Sequence, residues 1–141
     1  RNLATDLSQD ALAKAREGRF DEIEVHRGVV PVLIKEYFRR DGPHYVIKEE
    51  VSKLVQFDEF NLVGDWPGLT PVDVVLLRNV VRFMNAETKK EILGKLKHVL
   101  KPDGYLLLGA QEMTDETDSS FTLVPGDKAV YYQPSNSQTS A

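Results

Sequence analysis

The pattern of apolar positions is sharpest in the second half of the chain. Val72-Asp73-Val74-Val75-Leu76-Leu77 is a short, nearly continuous apolar run, and Tyr105-Leu106-Leu107-Leu108-Gly109 is another. Runs of this kind predict strands in the middle of a parallel sheet, where both faces are covered. Between them Ile92, Leu93, Leu96, Val99 and Leu100 recur at helical spacing, and Asn85 stands where a helix cap belongs. Pro102-Asp103-Gly104 predicts a turn. This strand–helix–strand unit should cross over right-handed.

The first half is patterned more weakly. Residues 2–6 predict a short strand ending at Asp6. Ser8 can cap the following helix, Asp10 adds favourable charge to its first turn, Ala11, Leu12 and Ala15 give its apolar stripe, and Gly18 closes it. Val29 to Phe38 predicts a helix with Pro31 in its first turn. Asp41-Gly42-Pro43 predicts a turn, Tyr45-Val46-Ile47 a strand, and Leu54-Val55-Gln56-Phe57 a further strand with Asn61-Leu62 just beyond. Near the end, Phe121-Thr122-Leu123-Val124 and Ala129-Val130-Tyr131-Tyr132 flank Pro125-Gly126-Asp127-Lys128, the signature of an antiparallel hairpin. The polar tail from Pro134 is expected to be disordered.

Composition narrows the class. A chain of 141 residues fits one domain. The net charge is −4, which argues against a duplex nucleic-acid binder. No run of about 18 apolar residues is present, so membrane insertion is not expected. Cysteine is absent, and no signal-peptide pattern is visible, so a cytoplasmic setting is expected. The chain begins at Arg1 inside what reads as a strand, and the expectation is a fragment of a longer fold. His26, His44 and His98 lack metal-ligand spacing, and no Ser/His/Asp grouping is visible. The acidic cluster Glu112 to Asp118 reads as a solvated loop bordering the strand ends.

Position alone marks several polar residues. Asp6 ends a strand, where open α/β sheets bind ligands, but it could equally be a helix cap. Asn61 and Leu62 follow another strand end, where a turn Asn and a core Leu are the plainer reading. Arg78 and Asn79 break an otherwise apolar pattern at the end of the most buried strand, as site residues do. The plainer reading there is a strand cap and a surface ion pair.

An ordered set of segments resembles the chemotaxis receptor methyltransferase (CheR) family. Ala4-Thr5-Asp6 with Ala11 to Gly18 resembles the family's second strand and following helix, and Glu36-Tyr37-Phe38 with Tyr45-Val46-Ile47 its small inserted β-subdomain. Phe57 through Asn61-Leu62 resembles the third strand and its Asn-Leu pair. Asp73 to Val80 resembles the fourth-strand signature, which usually reads Cys-Arg-Asn-Val, and Leu100 to Ala110 resembles the fifth. No single piece is specific; the ordered set, from about residue 2 to residue 132, is.

The resemblance implies an α/β fold: an incomplete Rossmann-like methyltransferase sheet from strand two onward, over residues 1–133. It includes an inserted β-subdomain at 19–60 and a C-terminal antiparallel hairpin, followed by a tail at 134–141. It implies S-adenosylmethionine as cofactor and glutamate carboxylates of a chemotaxis receptor's cytoplasmic domain, or of a similar signalling protein, as acceptor. Asp6 would bind the ribose, and Asn61 and Leu62 the adenine. Leu77 and Arg78 would line the methionine end, with Arg78 also near the acceptor carboxylate as the one catalytic candidate. The family's first strand, its Gly-containing loop and its N-terminal helical domain lie upstream of the matching segments. Two positions depart from the family: Leu77 stands where a Cys is common, and Phe83 where a Tyr is common. By the resemblance Phe83 is also a cofactor-binding candidate that keeps the ring but loses the hydroxyl, and the plainer reading makes it a core aromatic. Asp41-Gly42-Pro43-His44 looks short beside peptide-binding members, so no peptide tether is expected. Sheet edges left open by the missing strand would favour a homodimer. Two other readings stand beside this one: a non-catalytic module of the same fold that senses cofactor or contacts partners, and a small-molecule methyltransferase.

Overall fold

The computed structural model describes residues 1–66, 68–109, 112, 119–126 and 130–135. The chain divides into two compact units, Arg1–Asn61 and Leu62–Ala141.

In the first unit, strand β1 (Asn2–Asp6) leads into helix α1 (Gln9–Glu17). Ser8 caps α1 by accepting the Ala11 N–H, and Gly18 closes it at φ 62°. A Cβ on Gly18 would lie 2.5 Å from the Ile47 side chain, so both conformation and space demand glycine there. Three short strands follow in a separate antiparallel sheet of order β2 (Arg19–Asp21), β4 (His44–Ile47), β3 (Phe38–Asp41). Between β2 and β3 run helices α2 (Glu22–Gly28) and α3 (Pro31–Tyr37), with Pro31 in the first turn as expected. Asp21 and Glu24 form a reciprocal capping box at the start of α2. Helix α4 (Glu49–Ser52) then leads to β5 (Val55–Glu59), which runs parallel to β1 with Asn2 opposite Val55 and Asp6 opposite Glu59. Although β5 falls within the span 19–60, its ladder partner is thus β1 and not the antiparallel sheet. Leu12, Val25 and Ile34 are the buried apolar side chains of this unit.

The second unit is a four-stranded sheet of order β6 (Val72–Leu77), β7 (Leu100–Leu108), β9 (Val130–Pro134), β8 (Phe121–Pro125). Strands β6 and β7 are parallel, joined by helix α5 (Ala86–Val99), which Asn85 caps through the Thr88 N–H. Ile92, Leu93 and Leu96 of α5 cluster with Leu77, Leu106, Phe121 and Tyr132 to form the core. The predicted hairpin is present as β8 and β9, antiparallel with Leu123 opposite Tyr132. Residues 127–129 of its connection lie outside the described residues.

Several expectations change. Pro102-Asp103-Gly104 is no turn between elements: it lies inside β7 at an irregularity. There the register jumps from Val72 opposite Leu100 to Val74 opposite Tyr105. The surplus residues are absorbed as a bulge, bridged by an ion pair from Lys101 to Asp73 at 2.5 Å. The tail does not lose order at Pro134, because that residue ends β9 and the Ser135 N–H donates to the Ser120 carbonyl at 2.9 Å. The rest of the tail, from residue 136, lies outside the described residues. Strand β6 is not central: among the described residues its ladder partner is β7 alone. Val75 and Leu77 turn to the core, while Val74 and Leu76 stand 52% and 71% exposed.

Candidate functional site

Parallel strands put their carboxyl ends at one edge of a sheet, and ligands of open α/β folds collect there. In the first unit that edge carries Asp6 and Asn61. Asp6 is exposed at the end of β1. Its backbone carbonyl accepts the Phe60 N–H at 3.1 Å, which ties the end of β1 to the residue just past β5. The Asp6 Oδ1 accepts the Ser8 N–H at 2.8 Å. The helix cap is Ser8 itself, through its hydroxyl to the Ala11 N–H at 3.2 Å. The cap reading of Asp6 is thereby replaced: its carboxylate is fixed in direction by one backbone donor and keeps acceptor capacity toward solvent. Asn61 is exposed two residues beyond β5, on the same edge. Leu62 opens the second unit, where it is half-buried against the core and its carbonyl accepts the Trp66 indole N–H at 3.1 Å.

In the second unit the corresponding edge is the end of β6 and β7. Leu77 is 7% exposed and belongs to the core. Arg78, one residue past the strand, is exposed and has no ion-pair partner among the described residues, so the surface-ion-pair reading finds no support there. Asn79 takes a left-handed conformation at φ 61°, the sharp exit that turns the chain out of the sheet. A 3-10 turn, Val81–Phe83, follows. Phe83 is not a core aromatic: it is 79% exposed, with the Arg82 guanidinium 5.0 Å from its ring centroid. The three residues Val81, Arg82 and Phe83 cannot all face inward on one short turn, and it is Val81 that is fully buried.

The residue that the sequence reading missed is Glu112. It is not solvated but fully buried, and its carboxylate gathers the backbone of both strand ends. Oε2 accepts the Asn79 N–H at 2.5 Å and the Gly109 N–H at 2.9 Å, and Oε1 accepts the Arg82 N–H at 3.0 Å. The Glu112 N–H in turn donates to the Gly109 carbonyl at 2.9 Å. A Cβ on Gly109 would lie 2.7 Å from Oε2 and 2.9 Å from Asn79 Oδ1, so only glycine lets the two turns close on the carboxylate. Burial pushes the Glu112 carboxyl toward its neutral form, but the N–H groups of Arg82, Asn79, Gly109 and Val80 outweigh it and hold the carboxyl below its ordinary range. The usable signal was position: a polar residue close to a strand end, as with Asp6 and Arg78. The surrounding acidic run concealed it, and residues 113–118 of that run lie outside the described residues.

Of the histidines, His98 is exposed on α5 and bonds the Gly94 carbonyl of its own helix at 2.8 Å, while His26 stacks edge-on to Tyr45. Among the described residues no group of three or more His, Cys, Asp or Glu side chains is arranged to hold a metal. No helix among the described residues is long and apolar enough to cross a membrane.

Comparisons with known proteins show the family of the chain. The family described as "CheR methyltransferase, SAM binding domain" matches residues 1–130. The chain is 33% identical over 132 residues to the chemotaxis protein methyltransferase Cher2 of Pseudomonas putida, which covers 93% of this chain and 48% of that protein. It is also 33% identical over 132 residues to chemotaxis protein methyltransferase 1 of Pseudomonas aeruginosa, with the same coverage. To the chemotaxis protein methyltransferase of Escherichia coli it is 33% identical over 127 residues, 85% of this chain and 43% of that protein. The chain spans about half the length of the curated relatives it matches. With the family matched across residues 1–130, the chain belongs to the S-adenosylmethionine-binding domain of the CheR methyltransferases.

Proposed function

We propose that this chain is part of an enzyme that transfers a methyl group to glutamate carboxylates of chemotaxis receptors. The observation that carries the reading is Arg78: exposed, one residue past a parallel strand, and without an ion-pair partner among the described residues. A guanidinium so placed suits a carboxylate, which it can grip with two parallel hydrogen bonds. The family and the chemotaxis methyltransferase relatives support the same acceptor class.

The residues present fit the family's cofactor. Asp6 offers a carboxylate already oriented by the Ser8 N–H, suited to accepting ribose hydroxyls. Asn61 offers an amide for the adenine edge, and Leu62 an apolar flank. Leu77 is taken up by the core and serves as the floor that holds Arg78 at the edge. S-adenosylmethionine supplies, when bound, a methyl group on a positively charged sulfur. The acceptor carboxyl has an ordinary pKa of about 4.3, so it is an anion at neutral pH and needs no general base. The chain's task is to hold that anion in line and to keep water from it, which is positioning and desolvation. Residues 1–133 form the methyltransferase part in this reading, with the antiparallel sheet of β2, β3 and β4 as its inserted β-subdomain. The two-residue connection Gly42-Pro43 between β3 and β4 supports the absence of a peptide tether.

A non-catalytic module remains the second reading, favoured by one observation: Phe83 lacks a phenol hydroxyl and stands exposed. Two variants of a full-length protein containing this chain bear on the choice. Asp6→Ala should weaken binding of S-adenosylhomocysteine by about 1–3 kcal/mol, the cost of leaving hydroxyls without their charged partner. Calorimetry showing parental affinity would remove Asp6 from the site. Arg78→Ala should lower kcat/KM for the acceptor by about 1.5–3 kcal/mol in transition-state binding. Because Arg78 is exposed, its melting temperature should stay near that of the parent. A lowered melting temperature with activity per folded molecule intact would make Arg78 structural.

A further inference from the structure

Glu112 is an expensive residue to bury. A carboxylate removed from water is retained only where hydrogen bonds replace its hydration. Among the described residues the replacement comes wholly from backbone. The Asn79 and Arg82 N–H groups belong to the turn after β6, and the Gly109 N–H to the end of β7. The carboxylate therefore ties together the chain exits of two strands that are paired up to Leu77 opposite Leu108. Arg78 sits between Leu77, which the core fixes, and Asn79, which Glu112 fixes. Both of its backbone neighbours are thus immobilised, while its own side chain is left exposed. Asn79 holds a left-handed conformation, which asparagine adopts more readily than other non-glycine residues, and its N–H donates to Glu112.

We infer that Glu112 is a positioning residue: its buried carboxylate clamps the turn after β6 so that Arg78 is presented to the acceptor in one orientation. The inference rests on the functional reading of Arg78 above. Glu112 touches neither acceptor nor cofactor in this scheme and acts through the backbone of residues 79–82. Gln is the informative replacement, since it keeps the shape but puts an amide donor against N–H groups that need acceptors.

The test uses the full-length protein containing this chain, with Glu112→Gln, Arg78→Ala and the double variant. Amide hydrogen exchange reports the clamp directly. Asn79 and Arg82 should lose at least tenfold in protection in Glu112→Gln, while Leu106 in the core keeps its own. Unchanged protection at Asn79 and Arg82 overturns the clamp. Methyl-transfer kinetics report the consequence. Glu112→Gln should lower kcat by about tenfold with little change in the dissociation constant of S-adenosylhomocysteine, and it should add nothing further once Arg78 is alanine. Losses that multiply in the double variant overturn the positioning role, since independent effects multiply and effects through one shared group do not. A protein that transfers no methyl in any form overturns the functional reading instead, and the exchange result still decides the clamp.

Discussion

Glu112→Ala should destabilise the unit spanning residues 62–141 by about 3 kcal/mol, from leaving buried backbone donors without partners at about 1–3 kcal/mol each and some relief by entering water. Glu112 is fully buried and receives N–H groups from Asn79, Arg82 and Gly109. No other described side chain joins these three. The loss should also depend on pH, in a direction the chemistry fixes. Opposing the effect of burial, the backbone donors hold the folded-state carboxyl below its ordinary value. A carboxyl depressed in this way contributes its stability in full above the unfolded value of about 4.3, and loses it as pH falls through the lower folded value. The gap between parent and Glu112→Ala should therefore be widest near neutrality and close in acid. Urea unfolding of the full-length protein at a series of pH values measures it. A variant within about 0.5 kcal/mol of the parent at pH 7 would match an ordinary surface substitution and contradict the buried clamp.

The second large effect concerns the 141-residue chain taken alone. It should bind S-adenosylhomocysteine about 100-fold more weakly than a full-length protein containing it, or about 2.8 kcal/mol at 1.4 kcal/mol per factor of ten. Among the described residues β1 pairs with β5 alone and β6 with β7 alone. The chain spans about half the length of the curated relatives it matches, so part of the cofactor's contacts is expected from the rest of a full-length protein. Val74 and Leu76, apolar and exposed on β6, fit a strand that something else covers. Unpaired strand edges also invite pairing with another chain. The isolated chain should then self-associate in light scattering. A monomer with micromolar affinity would show that the strands do not correspond as assigned.

The parts of this protein that were legible in its sequence are those where one physical demand dominates. The run from Val72 to Leu77 was legible as a strand, though not its exposure, since only Leu77 of it is buried, and the spacing of Ile92, Leu93 and Leu96 could be little other than a helix face. Asn85, Ser8 and Gly18 marked helix ends because caps have few suitable residues. The inserted sheet was only half legible. Arg19-Phe20-Asp21 and Phe38-Arg39-Arg40-Asp41 are too short and too polar to show a strand period, and their order comes from pairing with β4. The bulge in β7 was hidden because Lys101-Pro102-Asp103-Gly104 has turn composition wherever it occurs. For the site, strand-end position drew attention to Asp6, Asn61 and Arg78, but it could not say which polar side chain is buried. Glu112 needed the fold: besides Gly109, its partners are backbone N–H groups 30 and 33 residues away, which leave no trace in side-chain composition. Phe83 shows the converse, an aromatic whose exposure the three-residue turn decides.

The most direct test is methyl transfer itself. A full-length protein containing this chain should be incubated with S-adenosylmethionine labelled in its methyl group and with membranes bearing chemotaxis receptors. The label should enter the receptor, enter about 10- to 100-fold more slowly when Arg78 is replaced by alanine, and leave as methanol under mild base, as a carboxyl methyl ester does. Cofactor binding with no label transferred, or a label that resists base, would contradict glutamate methylation by this protein.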